Sequence, residues 1–116
     1  MNTSRRQKRV ASLIKEEVSR LLIEEVQDSF SGLITLTKVD MTADLRTAHI
    51  YLSIYGTEQK DAIFAFLDKK KGFLRKSVAS KVKLKYNPML IFSIDPSPEY
   101  QMKIDRLLEE IKKNEK

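Results

Sequence analysis

Cysteine is absent from the 116 residues, which excludes a disulfide framework and a thiolate zinc site together. Histidine occurs once, at His49. A single imidazole makes neither a metal site nor a base–nucleophile pair, so a structural or surface place is expected for it. No His/Glu pair has zinc spacing, and no metal is expected. A glycine-rich phosphate loop ending in Lys-Ser or Lys-Thr is also missing, which rules out an ordinary P-loop nucleotidase. No apolar stretch approaches the ~20 residues that span a bilayer. The polar, basic start from Met1 to Val10 lacks the apolar segment of a secretory signal. A cytoplasmic protein is expected. Titratable groups suited to catalysis are scarce: Asp44 reads as a turn residue bonding its own backbone, and Asp95 likewise before Pro96. No catalytic site, cofactor or small-molecule substrate is expected.

Acids are missing from two stretches in particular. Residues 1–15 hold Arg5, Arg6, Lys8, Arg9 and Lys15 without an acid. Residues 69–85 hold Lys69, Lys70, Lys71, Arg75, Lys76, Lys81, Lys83 and Lys85, again without one. Together they carry +13, whereas the whole chain carries +6, so the other 84 residues carry −7. Charge segregated to this degree points to a binding surface for a polyanion rather than to general solubility. A single charge run is usually a solvated face. Two acid-free runs on separate elements favour nucleic acid.

The length suits one domain, and no repeat, low-complexity tract or linker divides 1–116. Ser4 and Gln7 form the pattern of a capping box. Val10, Leu13, Ile14, Val18, Leu21, Leu22 and Val26 then recur at helical spacing. Four cations sit in or beside that helix's first turn, where the dipole is positive and each costs roughly 0.3–1 kcal/mol. Stability does not account for them; an anion meeting this end does. Asp28–Gly32 reads as a turn and Leu33–Val39 as a strand with blurred alternation. Arg46–Tyr55 alternates cleanly, Ala48, Ile50, Leu52 and Ile54 inward, and the short link predicts an antiparallel pair. Thr57 is the expected N-cap of a second helix, kinked at Gly72 and stopped by Asn87-Pro88. Met89–Ile94 reads as a short strand, apolar enough to be buried. A last helix is expected over 98–113.

The order is thus α-β-β-α-kink-α-β with a C-terminal helix. Four stretches, "RRQKRVASLIKEEVSRLL", "VDMTADLRTAHIYLSIYG", "KKKGFLRKSVASKVKLKYNPMLIF" and "DPSPEYQMKIDRLLEEI", give the whole chain a resemblance to the ribosome-binding factor A family. The middle two carry most of it, through Asp44-Leu45 with Ala48 and Tyr51, and through Arg75 with Pro88, Leu90, Phe92 and Asp95. The resemblance implies an α+β, type II KH-like fold, a three-stranded sheet with helices packed on it. The family replaces the KH Gly-x-x-Gly loop by an Ala-x-Gly kink. Here the kink reads Lys70-Lys71-Gly72, and Asp28-Ser29-Phe30 stands where Asp-Pro-Arg is usual.

By resemblance the partner is the free, immature 30S subunit and its 16S rRNA. Late maturation, processing of the rRNA 5′ end and cold adaptation are implied as roles. Release by a ribosome-associated GTPase is implied too, and a monomer is expected. The candidate rRNA-binding residues are Arg5, Arg6, Lys8, Arg9, Lys70, Lys71, Gly72, Arg75, Lys76, Lys81, Lys83, Lys85 and Tyr86. Tyr51 reads instead as a cross-strand packing residue. A stable ribosomal component and a general nucleic-acid-binding module are the alternatives. A membrane-lying first helix fits poorly, because its apolar face lacks Trp and Phe and Glu16, Glu17, Glu24 and Glu25 would be repelled by acidic lipid.

Overall fold

The computed structural model describes residues 4–95 together with Arg106 and Glu109. The helix expected over 98–113 therefore falls, apart from the helical Arg106 and Glu109, outside the described residues. Helix α1 spans Arg5–Leu21 and opens on the expected capping box. The Gln7 amide donates to Ser4 Oγ at 3.1 Å and the Ser4 amide to Gln7 Oε1 at 2.9 Å. Val10, Ile14, Val18 and Leu21 form its buried face. A π-helical turn, Leu22–Val26, continues it. The wider turn absorbs one extra residue, and Val26 at its end returns to the core.

Strand β1 (Leu33–Met41) pairs antiparallel with β2 (Thr47–Tyr55), as the short link predicted. The register shifts between Leu36 and Lys38. That bulge explains the blurred alternation, because the inward positions run Ile34, Leu36 and then Val39, Met41. Helix α2 spans Lys60–Lys69 and α3 spans Lys71–Lys81. Strand β3 (Met89–Ile94) lies parallel to β2, giving a mixed sheet in the order β1-β2-β3. One sheet face packs on the helices: Ile50, Leu52, Leu36 and Leu90 meet Ile14, Val18, Ile63, Leu67, Leu74 and Val78 in a single cluster.

Four local expectations are corrected. Helix α3 is not stopped by Asn87-Pro88; it ends at Lys81, with Val82 already extended. Thr57 is not the N-cap of α2; its Oγ1 accepts from the Gln59 amide at 3.0 Å in a turn, and Gln59 stands at the cap. The kink is at Lys70, whose φ of −87° and ψ of 1° leave the helical region, whereas Gly72 lies inside the first turn of α3. Strand β3 is an edge rather than a buried strand, with Met89, Ile91 and Ile94 exposed. The start of β1 is set by Gln27, which donates to the Gly32 carbonyl at 2.7 Å and accepts from the Ile34 amide at 3.1 Å.

Candidate nucleic-acid interface

The two basic stretches, some 70 residues apart in the chain, meet where α1 packs against α3. Arg6 and Arg9 from the first turns of α1 face Lys81, Lys83 and Leu84 from the end of α3 across a groove of about 410 Å³. Leu13, Val10 and Val82 supply the apolar floor of that groove. Arg6 and Leu84 also border a second groove of about 270 Å³, completed by Asp44, Lys85 and Tyr86. Gln7 sets the position of the helix end, because its Nε2 donates to the Met41 carbonyl at 3.0 Å and so ties α1 to the end of β1. Arg6, Arg9 and Lys81 stand on packed helices, Lys83 and Lys85 follow in the segment leading to β3, and the ion pairs formed among the described residues involve Arg20 and Lys38 instead. That is the arrangement phosphate oxygens require of a protein surface.

The other candidates are distributed differently. Arg5 and Lys8 are exposed on the same turns of α1, and Lys76 is exposed on α3. Lys83 and Lys85 lie past the helix end, which falls at Lys81 with Val82 already extended. Lys70, Lys71 and Gly72 gather at the opposite end of α3, which at 1.5 Å per residue is about 15 Å from Lys81. There the Lys70 ammonium lies 5.7 Å from the ring centroids of both Phe66 and Phe73, close enough for cation–π attraction. Arg75 turns inward. Its Nε donates to the Pro88 carbonyl and a terminal nitrogen to the Asn87 carbonyl, both at 3.0 Å. It thereby fixes the strand-entry segment that carries Lys83, Lys85 and Tyr86.

Arg46 was not among the sequence-level candidates, yet it joins the site. Its guanidinium lies 4.3 Å from the Tyr86 ring centroid, and Lys85 Nζ lies 5.5 Å from it. The parallel register places it there, since the Met89 amide donates to the Arg46 carbonyl at 2.8 Å. No spacing rule connects residues 40 positions apart, so the sequence held no local signal for it. Tyr51 faces Lys38 across the strand pair, with the ammonium 5.4 Å from its ring, as a packing residue should.

Electrostatics bound the surface on one side. Glu17, only 6% exposed, accepts a two-pronged contact from Arg20 at 2.7 and 2.8 Å, and Arg20 also reaches Glu24 at 2.6 Å. The Arg20 hydrogen bond outweighs burial and holds the Glu17 carboxyl below the ordinary carboxylate range. Lys81 stands at the junction between this pair and the cationic groove. Asp44 is held ionised as well, first by the Thr42 hydroxyl at 2.6 Å and then by the Arg46 amide at 3.0 Å. Among the described residues no group of three or more His, Cys, Asp or Glu side chains converges as a metal site would require. No helix among them is long and apolar enough to cross a membrane.

Helix, two strands, a kinked helix pair and a returning parallel strand make this a type II KH-like α+β protein. The family model for ribosome-binding factor A matches residues 6–108. The chain is 42% identical over 111 residues to ribosome-binding factor A of Carboxydothermus hydrogenoformans, covering 95% of this chain and 89% of that one. Against the Caldanaerobacter subterraneus subsp. tengcongensis protein of the same name the identity is 36% over 112 residues, with 95% and 92% covered. The crystal structure of ribosome-binding factor A from Thermus thermophilus superposes with a TM-score of 0.63 at 17% identity, over 76% of this chain and 94% of that one. A homology model of the Thermus thermophilus factor, fitted into a cryo-EM map of a 30S complex, gives 0.58 at 20% identity, over 79% and 93%. The chain belongs to the ribosome-binding factor A family.

Proposed function

We propose that the protein binds the maturing small ribosomal subunit, seating 16S rRNA phosphates along the groove between the start of α1 and the end of α3. The observation that carries this reading is the convergence of Arg6 and Arg9 with Lys81, Lys83 and Lys85 on adjoining grooves. Family membership supports it, as does the fold shared with a relative fitted into a 30S complex. Lys70, Lys71 and Gly72 form a second contact region at the kink. Arg5, Lys8 and Lys76 add long-range attraction, and Arg75 holds the segment that presents its neighbours. Affinity comes from charge and counterion release, and selectivity mainly from RNA shape.

On this reading the protein acts by binding, not catalysis, as a single KH-like unit over residues 1–116 and as a cytoplasmic monomer. It works late in subunit maturation, assists formation of the 16S rRNA 5′ end and leaves before translation, with a ribosome-associated GTPase driving release. A requirement in the cold has a physical basis. Misfolded RNA helices rearrange slowly at low temperature, and a protein with higher affinity for the correct arrangement shifts the population toward it. Co-sedimentation with isolated 30S subunits and with 70S ribosomes over a salt series tests the reading. Binding to 30S alone, weakening steeply with salt, is expected. Equal binding to both would make it a stable ribosomal component. Absence of binding to either, with retention on arbitrary RNA, would make it a general nucleic-acid-binding module.

A further inference from the structure

One carboxylate stands where phosphate binding alone would exclude it. Asp44 borders the same groove as Arg6, Lys85 and Tyr86, and an acid there repels the RNA backbone that the cations attract. Turn formation accounts for half of it. Asp44 Oδ1 accepts from the Thr42 hydroxyl and from the Arg46 amide, which fills that oxygen's two acceptor sites. No other residue among the described ones donates to Oδ2; the Asp44 amide itself helps to hold the carboxyl ionised, and the side chain is exposed. The groove therefore offers one ionised acceptor with fixed position. Beside it stands an aromatic ring, Tyr86, 47% exposed and stacked by the Arg46 guanidinium at 4.3 Å.

We propose that this groove receives one unstacked nucleobase bearing an exocyclic amine. The inference rests on the RNA-binding reading above. The base packs on the Tyr86–Arg46 stack, its amino group donates to Asp44 Oδ2, and Arg6 and Lys85 hold the flanking phosphates. Single-stranded bases are bound in this manner generally, by stacking on aromatic and guanidinium planes with hydrogen bonds to the base edge. The acceptor sets the preference. Cytosine presents an amine where uracil, the same size, presents a carbonyl. A carboxylate accepts from the first and repels the second.

Binding of short oligocytidylate and oligouridylate RNA to the full chain, measured by fluorescence anisotropy, tests this. Oligocytidylate is expected to bind about tenfold more tightly, the size of one hydrogen bond to a charged group. In Asp44→Asn the carbonyl oxygen keeps the two turn hydrogen bonds, and an N–H donor replaces the free oxygen. The preference should then invert toward uridine, with the thermal midpoint little changed. Tyr86→Leu should weaken both oligonucleotides by about tenfold or more through lost stacking. If Asp44→Asn instead tightens both RNAs equally, the acid only repels phosphate and the inference is overturned. Salt-dependent binding without base preference overturns it too, and leaves the phosphate-groove reading intact. Absence of binding to either oligonucleotide also overturns it, and 30S co-sedimentation then judges the broader reading separately.

Discussion

Replacing Gly72 by alanine separates a structural role from a role in binding, because the two predict opposite signs. Gly72 lies in the first turn of α3 and is not among the glycines with positive φ, which are Gly32 and Gly56. A Cβ built there meets nothing within 4 Å among the described residues. Neither backbone conformation nor packing requires glycine, and the kink beside it belongs to Lys70. Glycine in a helix costs about 1 kcal/mol relative to alanine, less near the end, so Gly72→Ala should stabilise the fold by about 0.4–1 kcal/mol. For a domain of this size that raises the thermal midpoint by about 2–6 °C. The proposed contact at the kink would use the missing side chain for close approach of an RNA backbone beside Lys70 and Lys71. The added methyl group should then lower affinity for 30S subunits by about five- to tenfold, the loss of roughly one charge-assisted contact. Thermal melting and 30S binding on the same preparation decide the matter. A lowered midpoint would refute the structural reasoning. A raised midpoint with unchanged affinity would remove Gly72 from the interface.

Gly32 should behave in the reverse manner. It has φ of +90°, and a Cβ there would come within 2.5 Å of the Tyr55 carbonyl oxygen, so Gly32→Ala should destabilise by at least about 1–3 kcal/mol in urea unfolding. Arg75→Ala should cost about 1–3 kcal/mol by leaving the Asn87 and Pro88 carbonyls without their donor, and Arg75→Lys should not rescue it, since an ammonium lacks the guanidinium fork; the pair of melting curves checks both. The Glu17 carboxyl is held below its ordinary value of 4.5 by Arg20. Its folded state binds the proton less readily than the unfolded chain, so its stabilisation is complete above about pH 4.5 and is lost as pH falls through the lower folded value. Urea midpoints of wild type and Glu17→Gln should therefore differ near pH 7 and converge toward pH 3, and a constant gap would contradict the assignment.

Local signals were sufficient wherever a segment's structure depends on its own residues. The Ser4–Gln7 capping box and the period-two face Ala48, Ile50, Leu52, Ile54 appear in the structure as the chain spells them. The β1 bulge left its trace in the sequence as a broken alternation, whereas the π turn at Leu22–Val26 left none, because Val26 follows Leu22 by four as in an ordinary helix. The broken alternation is interpretable only once the core face is known. The exposure of β3 could not be read locally, because its apolar run suits a buried strand and only sheet order makes it an edge. The site divides in the same way. Each cation of the groove was legible as a member of an acid-free run, but the meeting of the runs depends on α1 packing against α3. Arg75 carries the same charge as its neighbours and differs only in having two carbonyls 12 and 13 residues ahead within reach. Arg46 enters through the β2–β3 register.

The central claim is that two segments remote in sequence act as one phosphate-binding surface. Its most direct test is the salt dependence of equilibrium binding to isolated 30S subunits for wild type and for a variant carrying Arg6→Gln, Arg9→Gln, Lys83→Gln and Lys85→Gln. If each side chain neutralises a phosphate, the slope of log K against log salt should become shallower by about three to four, with the thermal midpoint held or raised because two cations leave the positive end of α1. A variant that binds with the wild-type slope would contradict the claim and return these charges to the role of a solvated face.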